Sequence, residues 1–267
     1  MWYRIAAVIT LCICTFTAYK LFLPKDNTDQ QAFTGTWNKL TSSTGRQKSA
    51  VILPDGTKIT LNAQSELRYP AAFRGATREV YLTGEGFFDV AKDHQHPFIV
   101  HTQHIDIRVL GTAFDVKSYQ NEQSTEATLL RGKIKITLNS SPKTPILLNP
   151  SEKFVLTHST GSSTEKPENS VYSISSMTYF NPDNKNSIIE TSWMDNKLAF
   201  KNERFDKISL LMARWYDVNL VFKSDEIRNY KFTGQFEKET LPEALKALQF
   251  IAAFRYEIKG KTIYLYR

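Results

Sequence analysis

Hydrophobic and polar residues alternate with a period of two through most of residues 48–157. This period places successive side chains on opposite faces of a strand, so it is typical of half-buried β-strands. The apolar stretches are short, and turn-forming residues separate them, as in the sequence PDGT at residues 54–57. We therefore predict about ten short strands in an all-β domain over residues 46–160. Without a clear short-period repeat, the pattern leaves open whether this domain is a sandwich or a solenoid.

The period changes after residue 188, where segments with helical spacing appear between short strands. One segment places its large apolar residues on a single helical face: Phe205, Ile208, Leu211, Met212 and Trp215. A second helix begins at the sequence TLPE, residues 240–243, which is a capping box with proline in the first turn. Strands KLAFKN, NLVF, YKFTGQF and a final hairpin complete the order β-α-β, β-α-β-β. We predict a small βαβ-type α/β domain over residues 188–267.

The first 23 residues have the pattern of a membrane anchor. Residues 5–23 contain one charge, Lys20, and a helix of that length rises about 28 Å, close to the hydrocarbon thickness of a bilayer. Trp2 and Tyr19 lie near its two ends, as interfacial aromatics do, and Arg4 favours a cytoplasmic N-terminus. We predict a retained single-pass transmembrane anchor over residues 1–23, located in the inner membrane with the rest of the chain in the periplasm.

Two other interpretations of this segment remain open, a cleaved signal peptide and a buried helix of a soluble protein. A cut after Ala18 would place the bulky Phe16 where a signal peptidase site carries a small residue. A lipoprotein would carry a small residue before its cysteine, whereas Cys14 follows Ile13. Residues 24–45 are polar and are predicted to be a tether, and residues 161–187 are predicted to be a second linker with a short ordered piece around VYSI.

The distribution of charge argues against a nucleic-acid-binding function, and the positions of the cysteines exclude disulfides from most of the chain. The formal net charge is +7, but residues 46–160 and residues 188–267 each carry 14 Lys and Arg against 11 Asp and Glu, without a basic run or stripe. A nucleic-acid-binding protein would concentrate its positive charge, so we expect no nucleic-acid partner. Both cysteines, Cys12 and Cys14, precede residue 24, so no disulfide can form in the rest of the chain.

Candidate catalytic and metal-binding residues are sparse. The histidines form one sequence cluster, at His94, His96, His101 and His104, but their spacing does not place them on one face and no cysteine accompanies them. Glu85 shares a strand parity with Asp89, as a glycosidase carboxylate pair would, although acids are too common here for that to be informative. There is no nucleophile elbow, phosphate loop or dinucleotide fingerprint. We expect a protein that is not an enzyme and has no cofactor and no metal.

Several stretches in order resemble the FecR family of membrane-anchored regulators. They are LPDGTKITLNAQSELRYPAAF, REVYLTGEGFFDVAKDHQHPFIVHT, VLGTAFDVKSY, RGKIKITL and LLNPSEKFVL. The later stretches WMDNKLAFKNERFDKISLLMARWYDVNLVF and KFTGQFEKETLPEALKALQFIAAFRYEIKGKTIYLY resemble the C-terminal domain of the Bacteroidetes branch. That domain is similar to the short domain of secretins and TonB-dependent transducers. The resemblance extends from about residue 46 to the end of the chain.

This resemblance implies a function in signal relay. A FecR-like regulator receives a signal from the signalling domain of a TonB-dependent outer-membrane transporter and passes it to a sigma factor of the extracytoplasmic-function type. Only residues 1–4 precede the apolar segment of the predicted anchor, residues 5–23, and four residues are too few for a sigma-binding helical bundle. We therefore expect the sigma-binding segment to be absent from this chain and its contact with the sigma factor to be indirect. The alternatives are an inner-membrane-tethered envelope scaffold and a glycan-binding module.

Gly111-Thr112 interrupts the strand-like stretch HIDIRVLGTAFDVKSY, residues 104–119. From the residues alone we predict a β-bulge, because glycine accepts the kink and the β-branched threonine resumes the strand. The resemblance implies a second interpretation, a single self-cleavage between Gly111 and Thr112. In that reaction the Thr112 hydroxyl would attack the Gly111 carbonyl in an N-to-O acyl shift, and water would hydrolyse the ester. The nearest titratable side chains in sequence that could act as a base are His101 and His104.

Overall fold

The computed structural model describes residues 36–158, 171–180 and 187–267. The predicted anchor, Cys12, Cys14 and most of both predicted linkers lie outside these residues. In the three described ranges, no helix combines the length and the apolar character needed to cross a membrane. The anchor therefore stays a prediction.

The N-terminal part of the described chain, which we name the β region (residues 36–158 and 171–176), is a thirteen-stranded sheet. Its strands are β1 (Trp37–Thr41), β2 (Ser49–Ile52), β3 (Lys58–Leu61), β4 (Glu66–Pro70), β5 (Arg78–Asp89), β6 (Phe98–His101), β7 (Ile105–Val109), β8 (Ala113–Ser118), β9 (Ser124–Arg131), β10 (Ile134–Leu138), β11 (Ser141–Leu148), β12 (Glu152–Thr157) and β13 (Val171–Ser176). The mainly β architecture predicted from the alternating pattern is confirmed.

The sheet curls because one long strand belongs to both of its halves. The order is β11-β10-β7-β6-β5-β8-β9-β12-β13, and β3 and β4 also pair with β5. The first half of β5 pairs with β4 and β6, and its second half pairs with β3 and β8. Both halves contribute to one hydrophobic core, whose largest buried side chains include Phe88, Phe98, Phe114 and Phe154. The sequence left open whether this region is a sandwich or a solenoid, and the structure has one curled sheet around one hydrophobic core.

Some strands differ from the prediction. The stretch REVYLTG and the first four residues of GFFDVAK belong to the single twelve-residue strand β5. Gly84 lets the strand continue there, since its φ is +97° and a Cβ at this position would lie 2.4 Å from the Ser65 Oγ. Strand β1 lies within the predicted tether and pairs with β4, so the folded chain begins before residue 46. The ordered piece expected around VYSI is β13.

The C-terminal part, which we name the α/β region (residues 187–267), has the predicted element order. After a 3-10 turn (Ser192–Asp195) come β14 (Leu198–Arg204), α1 (Phe205–Tyr216), β15 (Asn219–Phe222), a second 3-10 turn (Glu226–Asn229), β16 (Lys231–Phe236), α2 (Leu241–Ile251), β17 (Arg255–Lys259) and β18 (Thr262–Tyr266). Strand β14 pairs with β16, and β18 lies between β15 and β17. The capping box is present, with the Thr240 N–H donating to Glu243 Oε2 at 2.8 Å.

The α/β region has its own hydrophobic core, which includes Phe205, Met212, Phe232 and Leu245. By their contacts, however, residues 36–267 form one compact unit. The surface on which the two regions meet is therefore part of one folded unit. Several charged side chains are buried at this surface.

Candidate functional site

Gly111 and Thr112 lie where the chain passes from one half of the sheet to the other. Strand β7 ends at Val109 and β8 begins at Ala113, and these strands are separated in the sheet by β6 and β5. The prediction of one strand with a bulge at Gly111-Thr112 is therefore wrong, because the stretch forms two strands. A register shift does occur in the ladder between β8 and β9, but it lies at Ala113 and Phe114.

Close packing explains why glycine and threonine occupy these positions. Gly111 has a φ of +147°, and a Cβ there would lie 2.8 Å from the Cα of Lys92. Thr112 is fully buried, and its Oγ1 donates a hydrogen bond to the Lys133 carbonyl at 3.1 Å. The Thr112 carbonyl accepts the N–H of Val90 at 3.0 Å. Both residues have a structural role whether or not the bond between them is cut.

The histidines considered as bases are engaged with other groups. His101 Nδ1 lies 2.9 Å from Asp106 Oδ1, and the ring stacks on Tyr81. His104 stacks on His158, with ring centroids 3.6 Å apart. In the part of the chain that the structure describes, no hydrogen bond joins Thr112 to a histidine. Self-cleavage thus stays a prediction without an assigned base.

The other candidate sites are also dispersed. Among the described residues, no group of three or more His, Cys, Asp and Glu side chains is arranged to hold a metal. His96 pairs with the neighbouring Asp93, its Nδ1 lying 2.8 Å from Asp93 Oδ2. Glu85 is buried and accepts a hydrogen bond from Asn62, while Asp89 is partly exposed and pairs with Arg131. The two carboxyl groups therefore have separate environments and do not form a catalytic pair.

The structure reveals a cluster that the sequence did not single out, in which charged side chains are buried between the β region and the α/β region. We name it the ionic layer, and its members are Glu85, Asp115, Lys117, Glu122, Glu126, Lys153, Glu190 and Arg214. Strand alternation places several of these residues opposite the core side chains, which normally means a solvent-facing position. Here the α/β region covers them.

Three cations and three carboxylates of the ionic layer form two networks. Glu122 accepts hydrogen bonds from Lys117 Nζ, at 2.8 Å, and from the Arg214 guanidinium, which stacks 3.9 Å above the Tyr119 ring. Lys153 Nζ lies 2.7 Å from Glu126 and 3.5 Å from Glu190. Pairing of this kind offsets the cost of removing the charges from water.

The pKa values in these networks favour the charged forms. Burial alone would raise the pKa of Glu126, but the positive charges of Lys153 and Lys117 outweigh burial and lower it to about 2. Burial also opposes the charge on Lys153, yet Glu126 and Glu190 raise its pKa above the usual lysine value. Burial would likewise raise the pKa of Glu122, but the positive charges of Lys117 and Arg214 outweigh burial and lower it below the usual glutamate value.

Glu85 and Asp115 differ from the other carboxyl groups because neither forms a salt bridge within the described ranges. Glu85 accepts a hydrogen bond from Asn62 Nδ2 at 2.6 Å, and Asp115 accepts one from Trp193 Nε1 at 3.2 Å. Burial raises the pKa of Glu85. Burial also raises the pKa of Asp115 well above its usual value, and the neighbouring charge of Glu85 adds to this rise.

A cavity of about 160 Å³ lies at the ionic layer. Its walls come from both regions and include Asp115, Lys153, Glu190, Trp193, Phe200 and Arg214. The interface thus combines buried charged groups with a space that the side chains do not fill.

A short segment of the β region completes the interface, and we name residues 42–48, between β1 and β2, the strap. Arg46 donates to the carbonyls of Glu237 and Glu239 at 2.8 and 2.7 Å, and its guanidinium lies 5.1 Å from the Trp215 ring. The N–H of Gly45 donates to the Arg214 carbonyl at 2.9 Å. The strap therefore connects β1 to the α/β region through backbone and side-chain bonds.

The α/β region also has an open strand edge and exposed apolar side chains. Strand β17 is at the edge of its sheet, and Ile258 on that strand is partly exposed. Phe250 and Ile251, at the end of α2, are 82% and 62% exposed. These exposed apolar side chains and the β17 edge are a candidate interaction surface.

Comparison with known proteins gives matches in both regions. Residues 40–135 match the family model described as FecR protein, and residues 197–265 match the model described as FecR, C-terminal. These two segments together cover more than half of the chain. No curated protein sequence matches it.

The chain is also similar to two crystal structures of a candidate anti-sigma factor from Parabacteroides distasonis ATCC 8503. The structure at 1.65 Å resolution has a TM-score of 0.73 and 26% identity, covering 86% of this chain and 99% of the other. The structure at 2.50 Å resolution has a TM-score of 0.74 and the same identity, covering 87% and 99%. With family matches in both regions and a similar fold over nearly the whole described chain, this protein belongs to the FecR family.

Proposed function

We propose that this protein is a periplasmic signal-relay regulator of an extracytoplasmic-function sigma factor and receives its signal from a TonB-dependent outer-membrane transporter. The observation that carries the proposal is the match of both regions to FecR family models together with the similarity to a candidate anti-sigma factor. In this proposal the chain is held in the inner membrane by residues 1–23.

The partner surface in this proposal is the edge of β17 with Phe250, Ile251 and Ile258. A strand of the transporter's signalling domain would add to β17, so that main-chain hydrogen bonds supply affinity and the apolar side chains supply selectivity. Binding there would reach β1 through the strap, because Arg46 is bound to the α/β region and β1 immediately precedes the strap. The transmitted change would be a shift of the α/β region against the β region.

A pull-down with the signalling domain of a co-encoded transporter tests the proposal on the full-length chain. Phe250→Asp is expected to abolish binding, because it places a charge in the apolar surface. Leu147→Asp is the matched control, since Leu147 is 67% exposed but lies on β11 of the β region. If the wild-type protein does not bind the signalling domain but binds members of a glycan panel, the proposal is contradicted and a glycan-binding module is supported.

Membrane topology has its own test. We expect a reporter fused at residue 45 to be active only when it is a periplasmic reporter, and we expect the chain to stay in the membrane fraction after a high-salt wash. A soluble product whose N-terminus lies near Tyr19 would instead indicate a cleaved signal peptide.

Self-cleavage at Gly111-Thr112 is a separate proposal that rests on the family. Attack of Thr112 Oγ1 on the Gly111 carbonyl would give an ester, and hydrolysis would leave a carboxyl group on Gly111 and an amino group on Thr112. Wild-type protein should then show a new N-terminus at Thr112, Thr112→Ser should still be cut, and Thr112→Ala should stay full-length. An intact wild-type chain after prolonged incubation would contradict the proposal.

A further inference from the structure

The last strand of the curled sheet, β13, has an unusual edge. Strand β13 pairs with β12 on one side, and no other described strand pairs with it. All six of its residues are exposed, and the apolar residues Val171, Tyr172 and Ile174 are 69%, 45% and 43% exposed. An edge of this kind presents unpaired N–H and C=O groups that can accept another strand.

Proteins normally protect such edges with charges, proline, glycine or short length, and the other edges described here follow that rule. Strand β11 contains two prolines, β1, β14 and β16 contain lysine, and the three charged residues of β17 limit pairing there to a strand of complementary charge. Strands β2 and β15 have only four residues each. Strand β13 has the sequence VYSISS, six residues without a charge, proline or glycine.

The hydrogen-bond pattern shows which groups of β13 face its open edge. The N–H of Met177 donates to the Ser151 carbonyl at 2.9 Å, which continues the regular antiparallel ladder of β12 and β13. Because the direction alternates along a strand, Val171, Ser173 and Ser175 also point their backbone groups toward β12. The N–H and C=O groups of Tyr172 and Ile174 point away from β12.

We propose that β13 pairs with β13 of a second copy of this chain, antiparallel and about a twofold axis at Ser173. In this register, Tyr172 of each copy lies opposite Ile174 of the other. The two copies exchange backbone hydrogen bonds at these pairs, which is the phase that the ladder with β12 requires. An aromatic residue opposite a β-branched one is a stabilising cross-strand pair.

The chemistry of β13 and of its sheet indicates that the partner strand comes from a second copy of this chain. Because β13 has no charge, two copies pair without repulsion, and a twofold axis makes the contact self-complementary. Tyr172 and Ile174 face the same side of the sheet as their β12 partners Leu156 and Phe154, and Tyr172 stacks on Phe154 with ring centroids 5.5 Å apart. A second copy would extend this apolar row across the axis. One strand pair buries less than the roughly 1,200 Å² of a standard interface, so the dimer is weak and depends on concentration.

Cysteine cross-linking tests the register. In a full-length chain with Cys12→Ser and Cys14→Ser, a Ser173→Cys substitution places two thiols at a non-hydrogen-bonded pair, about 4.5 Å apart between Cα atoms, where a disulfide can form. Ser175→Cys is the matched control, because Ser175 is also exposed on the same face but lies about 14 Å from its copy in this register. After oxidation with diamide we expect disulfide-linked dimer for Ser173→Cys and at most a trace for Ser175→Cys. Equal cross-linking of the two variants would overturn the proposal.

Sedimentation of the full-length wild-type chain over a range of concentrations tests the dimer itself. We expect a concentration-dependent dimer, and we expect Ser173→Lys to remain monomeric because two ammonium groups would face each other across the axis. Circular dichroism is expected to be unchanged, since Ser173 is exposed. A wild-type chain that stays monomeric, or a Ser173→Lys chain that dimerises as the wild type does, would overturn the proposal.

Discussion

The two faces of β8 are both buried, but by different parts of the molecule and in different chemistry. Phe114 and Val116 point into the apolar core of the curled sheet. Asp115 and Lys117 point the other way and lie in the ionic layer beneath the α/β region. Apolar packing stabilises by area removed from water, whereas a buried charge stabilises only if its partner and hydrogen bonds are in place. The apolar core is therefore the stable part of the fold, and the ionic layer is the part that chemical conditions can change.

Truncation in the core should have the largest effect. Phe114→Ala removes a fully buried ring that stacks on Phe88 with centroids 5.2 Å apart, and we expect it to lower the free energy of unfolding by about 4 kcal/mol. Urea denaturation followed by circular dichroism measures the change. Phe250→Ala removes a highly exposed ring and is the control. It should change the free energy of unfolding by less than about 0.5 kcal/mol.

Breaking one network of the ionic layer should have the next largest effect. Glu122→Ala leaves Lys117 and Arg214 buried without their carboxylate, and we expect a loss of about 3 kcal/mol in the same measurement. Glu66→Ala is the control, because it removes a surface pair with Lys39 that contributes about 0–1 kcal/mol. If both variants lost equally little, the ionic layer would contribute no more than a surface salt bridge.

The unpaired carboxyl groups predict a pH dependence with a definite sign. The pKa of Asp115 is raised in the folded state, so its favourable contribution is complete below the usual value of 3.8 and is lost as pH rises through the raised pKa. We expect Asp115→Asn to reduce the fall in Tm between pH 5 and pH 8, since the amide can still accept the Trp193 hydrogen bond.

The pKa of Asp93 is lowered in the folded state, whereas that of Asp115 is raised, so the two residues should affect Tm in different pH ranges. Hydrogen bonds from the His96 side chain and from backbone N–H groups lower the pKa of Asp93 to about 2, so its contribution is lost only as pH falls below about 4. Asp93→Asn should therefore change the dependence of Tm on pH below about pH 4. Equal slopes for wild type and Asp115→Asn would show that Asp115 does not titrate at the interface in this range.

Loosening the strap should have the smallest effect on stability. Arg46→Ala removes two hydrogen bonds to backbone carbonyls and a cation–π contact at the surface, and we expect a loss of about 1 kcal/mol. Hydrogen exchange should increase at the amide of Gly45, which bonds to Arg214 across the interface. Arg74→Ala, at an exposed arginine in the turn before β5, should leave that amide unchanged.

Local pattern predicted the elements well where one face of an element is apolar and the other polar. The helices α1 and α2 and the strands around them follow from such periods, and the capping box at Thr240 and Glu243 marks the start of α2. Strand β1 was missed because WNKLT has almost no alternation, and it is a strand because β4 pairs with it along its whole length. Pairing of this kind is non-local, so a window of sequence contains no sign of it.

The interruption at Gly111-Thr112 shows a similar limit. Glycine there marks a close backbone approach and not a bulge within one strand, and the approaching atoms belong to Lys92. Whether such a glycine forms a bulge within one strand or a crossing between two depends on where β7 and β8 pair. Strand β7 pairs with its neighbour β6 and with β10, and β8 pairs with β5 and with its neighbour β9. The partners β10 and β5 are not adjacent to these strands in the chain, so the local sequence does not specify them.

By itself the sequence determined the two kinds of periodicity, the boundary between them and the family, because these depend on neighbouring residues and on ordered motifs. Only the tertiary structure decided that Asp115 and Glu122 are buried. Alternation specifies that Asp115 points away from the core of its own sheet, but it does not specify what lies on the other side. Trp193 and Arg214, about 80 to 90 residues later in the chain, cover these carboxyl groups. The same charged residues would be an ordinary solvated face without them, since burial is a property of the assembled chain and not of the strand.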